Sequence, residues 1–267
     1  MKILIIGGGN MGLTYAQSFT RSHITTKEDM MILARNASRA DELATKDVGA
    51  TFYAPQDCIK QADLVILAVK PQDATALFDT IRPYTDSQQV FLSIMAGIKM
   101  QTIAEALGSK KIIRAMPNLP SQIGMGMTAF TSSDEVTRIE LVMVQNLLNT
   151  TGKTVYVEKE AAIDAATAIS GSGPAYVFFF MQALIAAARQ MGFSQSEAEL
   201  LVSQTFKGAV DLYEKSNFSC EQWIQKVASK GGTTEAALRT FRQTEVFEDI
   251  MNGAKAALHR AIELGRG

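Results

Sequence analysis

Cysteine and histidine are scarce in this chain of 267 residues, which has two of each: Cys58, Cys220, His23 and His259. Two cysteines so far apart cannot form the disulfide framework of a small secreted domain. With so few soft ligands, the sequence offers no cluster for a zinc ion. We therefore expect no metal site, and a reducing cytoplasm fits the free thiols.

An excess of one charge is also missing, since 26 basic residues stand against 27 acidic ones. The chain lacks the basic surface that a binder of the phosphate backbone needs, which argues against nucleic acid as a partner. No segment is typical of targeting, because the apolar start ends at Gly9. The most apolar stretch, Ala175–Met191, contains Gln182 and Arg189 and is shorter than the ~20 residues that span a bilayer. We expect a buried helix there and no membrane contact.

Short apolar runs and longer amphipathic ones alternate in the first 157 residues. The runs that predict strands are Lys2–Ile6, Met30–Leu33, Thr51–Tyr53, Leu64–Val69, Val90–Ser93, Ile112–Ala115, Met127–Phe130 and Thr154–Val157. Several are continuously apolar, as in a parallel sheet that is covered on both faces. The segments between them that predict helices are Met11–Arg21, Ala37–Asp47, Met100–Leu107 and Glu135–Asn149, the last with an N-cap in Ser132–Asp134. This alternation predicts an α/β fold with a doubly wound, Rossmann-type sheet.

Period-two patterns end at about residue 158, and only helical patterns follow. The predicted helices are Ala161–Ile169, Ala175–Met191, Gln195–Lys215, Cys220–Ser229, Glu235–Arg242 and Val246–Leu264. Ser194 and Gly192 are candidates for an N-cap and a C-cap. The sequence predicts two domains, a Rossmann domain over 1–158 and an all-helical domain over 159–267.

A glycine motif, G-x-G-x-x-G, occupies Gly7–Gly12 directly after the first strand and opens a helix. In this pattern Gly7 allows a tight turn, Gly9 a close approach of pyrophosphate, and Gly12 close packing of helix on sheet. The helix start, with Asn10 and Met11, offers unpaired N–H groups to phosphates. An ordinary glycine turn would have the same letters, but the strand before and the helix after favour a dinucleotide site.

The residues after the second strand indicate which dinucleotide binds. An acidic residue about 20 positions past the last glycine would bind the ribose of NAD, but no carboxylate lies between residues 30 and 40. Arg35, Asn36, Ser38 and Arg39 are there instead. A guanidinium binds a 2′-phosphate in bidentate fashion, so this stretch favours NADP, with NAD as a weaker alternative. The competing interpretation is a solvated basic turn.

Two further loops follow strands at the edge of the sheet where ligands bind. Ala68-Val69-Lys70-Pro71 ends the fourth strand, and Met116–Pro120 follows the sixth with Asn118 in it. These positions predict Lys70 and Asn118 at the cofactor cleft, although a charged residue capping a strand would look the same. In the helical part, Ser170–Tyr176 and Ser229–Thr234 are small-residue loops that lead into helices.

With these motifs in this order, the chain resembles the pyrroline-5-carboxylate reductases over nearly its whole length. The resemblance rests on the glycine loop, Ala68–Pro71, Ser93–Gly97, Arg114–Asn118, Ser170–Tyr176 and Gly231–Thr234. It implies reduction of 1-pyrroline-5-carboxylate to L-proline by NAD(P)H, the last step of proline synthesis. It also implies that the helical domain forms a homodimer, often within larger rings such as a decamer, with the active site between one subunit's Rossmann domain and the helical domains of the dimer.

The resemblance assigns the substrate to one loop. The backbone amides of Gly231, Gly232, Thr233 and Thr234 would bind the carboxylate, and the Thr234 hydroxyl would hydrogen-bond the ring nitrogen as the catalytic group. One departure is Lys230, where the family usually has proline, which lowers loop rigidity and adds a charge.

The motifs and the resemblance together predict a set of cofactor-binding residues. They are Gly7, Gly9, Asn10, Met11, Gly12, Arg35, Asn36, Gln56, Ala68, Val69, Lys70, Pro71, Ala96 and Asn118. A second departure concerns the asparagine that the family usually has after the third strand. Pro55-Gln56 is present there instead, with Gln56 as the substitute.

Two rival functions remain open. Another two-domain imine or β-hydroxyacid reductase would share the fold, but the β-hydroxyacid dehydrogenases place a catalytic lysine on the first long helix of the second domain, and Ala175–Met191 contains none. A non-catalytic NADP-binding protein is the other. No histidine, aspartate or glutamate lies in Gly231–Thr234, so the imine proton would come from solution, from Thr234 or from a water.

Overall fold

Continuous apolar runs form the central strands of one eight-stranded sheet in the computed structural model, which describes residues 1–265. The strands are β1 (Ile3–Ile6), β2 (Met30–Leu33), β3 (Ala50–Phe52), β4 (Leu64–Leu67), β5 (Val90–Ser93), β6 (Ile112–Met116), β7 (Gly126–Ser132) and β8 (Gly152–Tyr156). Their order is β3-β2-β1-β4-β5-β6-β7-β8. Strands β1 to β6 are mutually parallel, β7 is antiparallel to β6, and β8 is parallel to β7. The strand order reverses between β1 and β4, which confirms the doubly wound fold.

Amphipathic segments form the helices that follow the strands. They are α1 (Asn10–Arg21), α2 (Ala37–Ala44), α3 (Ala74–Ile81), α4 (Met100–Leu107), α5 (Arg138–Asn149), α6 (Ala161–Ala166), α7 (Gly173–Gln190), α8 (Gln195–Glu214), α9 (Cys220–Val227), α10 (Thr233–Gln243) and α11 (Val246–Leu264). On one face of the sheet, Tyr15 and Phe19 of α1 pack with Leu147 of α5. On the other face, Phe78 of α3 packs with Ile103 of α4. Because both faces are covered, the central strands carry apolar residues at every position.

The chain divides into two compact units. The first comprises Met1–Pro174 together with the chain from Ala256 onward, and the second comprises Ala175–Lys255. The end of α11 belongs to the first unit, where it lies so close to the loop after β5 that a methyl group on Gly97 would be 2.8 Å from the Gly265 nitrogen. The last strand ends at Tyr156. The predicted domain boundary at residue 158 stays a prediction.

Several predicted bounds in the first domain differ from the structure by one to three residues, and two helices, α3 and α5, show why. Helix α3 was not predicted, because Pro71–Asp73 begins it as a short 3₁₀ turn and its eight residues give a weak periodic signal. Helix α5 starts at Arg138 rather than Glu135, and its N-cap is Thr137. Thr137 and Glu140 form a reciprocal capping box, whereas the predicted cap in Ser132–Asp134 lies at the end of β7 and in the turn after it.

The segment Ser170–Tyr176, predicted as a loop, is helical. A π-helical turn spans Thr167–Gly171, and α7 begins two residues later at Gly173. The helical run Ala161–Gln190 is long and apolar enough, by length and composition only, to cross a membrane. The prediction that its apolar part is a buried helix was wrong for the single chain, because α7 has no buried residue and Phe179 is 69% exposed.

Candidate active site: a dinucleotide cleft and a glycine-threonine turn

The turn after β1 is tight and leaves its backbone open to a ligand. Gly7 has a φ of 111°, and a Cβ there would lie 2.6 Å from the Ala68 carbonyl oxygen of the neighbouring strand end. Gly9 is the N-cap residue of α1 and has open space where a side chain would project. The backbone is therefore accessible at the helix N-terminus, where N–H groups and the helix dipole favour an anion. Asn10, Met11 and Gly12 form the first turn of that helix.

A cleft of about 830 Å³ opens at the carboxyl ends of β1, β2 and β4. Of the residues predicted to bind the cofactor, it is lined by Gly7, Gly9, Arg35, Asn36, Ala68, Val69 and Lys70. The structure therefore brings together side chains and backbone from three separate stretches of sequence. Tyr53, at the end of β3, also lines the cleft and was missed. Its signal was its position, since it follows the third parallel strand just as Lys70 follows the fourth.

The basic residues after β2 are not equivalent. Asn36 is the N-cap of α2, and its side chain accepts a hydrogen bond from the Arg39 N–H at 2.9 Å. The Arg39 guanidinium donates to the Gly8 carbonyl oxygen at 2.7 Å and forms an ion pair with Glu42. Arg35 is exposed, and within residues 1–265 no hydrogen bond or ion pair of its side chain is described. Arg35 is therefore the cation of this stretch that is free to bind a phosphate.

Several predicted cofactor residues lie outside that cleft. Gln56 lies in a 3₁₀ turn (Pro55–Asp57), of which only Pro55 lines the cleft. Pro71 begins the 3₁₀ turn before α3, and Ala96 follows β5. Of the Ala68–Pro71 stretch, Ala68, Val69 and Lys70 therefore line the cleft and Pro71 does not.

Asn118 holds the loop after β6 in place. Its Nδ2 donates to the Ser170 carbonyl oxygen at 3.0 Å, and its Oδ1 accepts from the Met127 N–H at 2.8 Å. Both ends of the amide are therefore used to tie the loop to the π-helical turn and to β7. Its predicted contact with the cofactor stays a prediction. In this structure the side chain stabilises the loop through these two hydrogen bonds.

A buried cation lies directly before this loop. Arg114 of β6 is 1% exposed and donates to Glu160 at 3.0 Å and to Asp164 at 2.5 Å. Glu160 also accepts from the Met100 N–H at 2.8 Å. A buried guanidinium with two carboxylate partners is costly to disrupt, because the loss of either side leaves an unpaired buried charge. This network fixes α6 on the sheet, next to the strand from which Asn118 follows. The sequence showed Arg114 only as part of a motif and gave no sign of its partners.

The predicted substrate loop lies in the second unit and is described by itself. Thr233 and Thr234 are the first two residues of α10, which begins two residues earlier than predicted. Thr234 is half-buried, whereas Thr233 is exposed. The Gly231 N–H donates to the Glu235 carboxylate at 2.6 Å, and the Gly232 N–H donates to the Ser229 carbonyl oxygen at 3.0 Å. An acidic group therefore reaches this loop from the residue that follows it, which the sequence argument missed.

Comparison with known proteins gives matches over nearly the whole chain. Residues 160–264 match the family model for pyrroline-5-carboxylate reductase dimerisation. Residues 2–97 match the model for NADP oxidoreductase, coenzyme F420-dependent. Pyrroline-5-carboxylate reductase 2 of Bacillus subtilis is 35% identical over 98% of this chain and 95% of its own length.

Solved structures agree with the sequence matches. The pyrroline carboxylate reductase of Plasmodium falciparum, solved with NADP bound, has a TM-score of 0.90 and 29% identity, covering 99% of this chain and 98% of that one. The 1-pyrroline-5-carboxylate reductase of Streptococcus pyogenes has a TM-score of 0.89 and 30% identity, with 98% of each chain covered.

Proposed function

Because the chain belongs to the pyrroline-5-carboxylate reductase family, we propose that it reduces 1-pyrroline-5-carboxylate to L-proline with NADPH, as the last step of proline biosynthesis. The observation that carries the choice of cofactor is the exposed Arg35 at the cleft, with no carboxylate between residues 30 and 40 of the sequence to bind a ribose hydroxyl. The open backbone at Gly9 fits the pyrophosphate. NADH is the weaker alternative.

The protein's own contribution is to hold and orient two molecules. NADPH supplies a hydride when bound, and one proton completes the conversion of the imine to the amine. The glycine turn and the start of α1 would bind the pyrophosphate, Arg35 the 2′-phosphate, and Val69 and Lys70 the part of the cofactor that crosses the carboxyl end of β4. These roles rest on the cleft geometry and on the resemblance.

The turn Gly231–Thr234 is the proposed site of the substrate. A small cyclic imino acid presents one carboxylate and one nitrogen, so it needs N–H donors and one neutral hydroxyl. The Thr234 hydroxyl can accept a hydrogen bond from the protonated imine and can donate one to the product amine. Because no histidine lies in this turn, the imine proton would come from solution, from Thr234 or from a water.

The same proposal includes a homodimer formed through the helical domain over 159–267, in the cytoplasm. It is supported by the dimerisation model matched at 160–264 and by the exposed apolar side chains of α7. Larger rings, such as a decamer, are part of the expectation from the resemblance.

The decisive experiment follows the loss of NADPH absorbance at 340 nm with 1-pyrroline-5-carboxylate. We expect turnover that requires both reactants, with L-proline as the product by chromatography. A parallel assay with a β-hydroxyacid and NADP tests the rival reductase. Turnover there, and none with pyrroline-5-carboxylate, would contradict the proposal.

A further inference from the structure

The segment before α10 is a tight turn with an unusual second residue. The Gly232 N–H donates to the Ser229 carbonyl oxygen at 3.0 Å, which closes a four-residue turn. Gly231, the third residue of that turn, has a φ of 76°. This is the pattern of a type II turn, in which glycine suits the third position and proline suits the second. The second residue here is Lys230, whose backbone φ is not fixed by a ring.

A carboxylate ties this turn to the helix that follows. Glu235 lies in the first turn of α10, and its Oε2 accepts from the Gly231 N–H at 2.6 Å. A hydrogen bond to a charged acceptor is stronger than a neutral one, and a carboxylate near a helix N-terminus is favoured by the helix dipole. The bond therefore holds the peptide group between Lys230 and Gly231. A proline at residue 230 would restrict the same turn in another way, by fixing φ of residue 230.

The hydrogen bonds within the turn also decide which donors remain for a ligand. The N–H groups of Gly231 and Gly232 have acceptors within the chain. For the N–H groups of Thr233 and Thr234, no acceptor is described within residues 1–265. The substrate carboxylate has these last two donors available, and they converge only if the turn before them is held.

We propose that Glu235 is a positioning residue for substrate binding: it braces the turn Ser229–Gly232 in place of a ring at residue 230, so that the N–H groups of Thr233 and Thr234 converge on the substrate carboxylate. This inference rests on the proposed function. In the opposite role, the Glu235 carboxylate would compete with the substrate carboxylate for the turn. Glu235→Ala would then lower KM for the substrate instead of raising it.

The test measures the effect of Glu235→Ala in two backgrounds, wild type and Lys230→Pro. In the wild-type background we expect KM for pyrroline-5-carboxylate to rise roughly tenfold with kcat little changed, because one charge-assisted hydrogen bond is lost. In the Lys230→Pro background the same substitution should raise KM by only about twofold, since the ring limits the turn in its place. Glu235→Gln, which keeps an acceptor oxygen, should lie between wild type and Glu235→Ala.

A matched control removes another carboxylate at a helix start. Glu221 lies in the first turn of α9, and Glu221→Ala should leave KM for the substrate unchanged. An equal effect of Glu235→Ala in both backgrounds would overturn the brace. A fall in KM, or no change, would overturn it as well, and a fall would assign Glu235 the competing role.

Amide hydrogen exchange in ¹⁵N-glycine-labelled protein, with no substrate present, separates this inference from the proposed function. We expect the Gly231 and Gly232 amides to exchange roughly tenfold faster in Glu235→Ala than in wild type, because the turn is no longer braced. When Lys230→Pro is added, the Gly232 amide should become protected again, and the Gly231 amide should not. If the wild-type protein reduces no pyrroline-5-carboxylate, the proposed function fails, while unchanged exchange at Gly231 would show separately that the brace does not exist.

Discussion

The two compact units of this chain differ in how far they bury their apolar side chains. In the first unit the sheet is covered on both faces, and strands such as β1 and β4 are buried at every residue. In the second unit, Ala175–Lys255, only Ala198 and Val202 are buried. The apolar content of α7 is as high as that of a core helix, yet Phe178, Phe179 and Leu184 are exposed and the rest of its side chains are at most half-buried. The first unit has a core of its own, whereas the second needs cover from elsewhere.

The largest effect should come from a charge on the exposed face of the second unit. Phe179 in α7 is 69% exposed, and Phe179→Asp would place a carboxylate in the proposed dimer interface. We expect the dissociation constant of the dimer to rise at least about thirtyfold, as when a central aromatic side chain of an interface is lost. Activity should be lost together with the dimer. Analytical ultracentrifugation measures the assembly.

Ile139→Asp in α5 is the matched control for that substitution. Ile139 is 74% exposed but belongs to the first unit, so the change should leave the assembly intact. A wild-type protein that sediments as a stable, active monomer at micromolar concentration would refute the dimer and the comparison on which it rests.

The next largest effect is expected from Thr234, the proposed catalytic residue, which lies in the second unit. Thr234→Ala should lower kcat/KM by roughly 10–10³-fold, since solution can still protonate the imine. Thr234→Ser should retain most activity. The dissociation constant for NADPH, measured by fluorescence titration, should be unchanged, because the cofactor residues lie in the first unit. If Thr233→Ala is the damaging change instead, the wrong hydroxyl has been assigned.

A smaller and selective effect is expected in the first unit. Arg35→Ala should raise KM for NADPH roughly tenfold, as for the loss of one charge-assisted contact, and leave KM for NADH nearly unchanged. Arg138→Ala removes an exposed cation at the start of α5, outside the cleft, and should change neither value. An equal rise in KM for both cofactors with Arg35→Ala would show that this side chain does not bind the 2′-phosphate.

The smallest effect is a difference in thiol reactivity between the two units, and it should leave activity unchanged. Cys58 of the first unit is buried, and burial raises the pKa of its thiol to about 11, so at pH 8 it is almost fully protonated and unreactive. Cys220 of the second unit is exposed in the single chain. A thiol reagent at pH 8 should label Cys220 and reach Cys58 only in denaturant, with kcat unaffected. In Cys220→Ser, fast labelling should disappear; fast labelling that persists would mean that Cys58 is accessible.

Much of the first unit could be predicted from the sequence, because its strands are buried on both faces and stand out as apolar runs. Helix α3 could not, since eight residues after a proline turn carry too little periodicity. The start of α5 could have been found from Thr137 and Glu140, which have the spacing of a capping box.

The candidate site was predictable to the extent that it depends on local backbone. The glycine turn and Arg35 follow from spacing alone. The contact of Glu235 with the Gly231 N–H depends on how a turn folds back on a helix, and the partners of Arg114 depend on where α6 meets the sheet. Exposure of α7 was not predictable either, because a helix that is apolar all round looks the same whether its own chain or another covers it.

The return of α11 to the first unit has a consequence for synthesis on the ribosome. The sheet and its helices are complete in sequence at Pro174, but the segment that packs against Gly97 emerges only after Lys255. At about 5–20 residues per second, the roughly 80 residues between them take ~4–16 s to translate. During that interval the nascent sheet carries an uncovered patch beside the loop after β5. A fragment ending at Pro174 would keep that patch permanently, so the first unit is expected to aggregate when it is produced without the end of the chain.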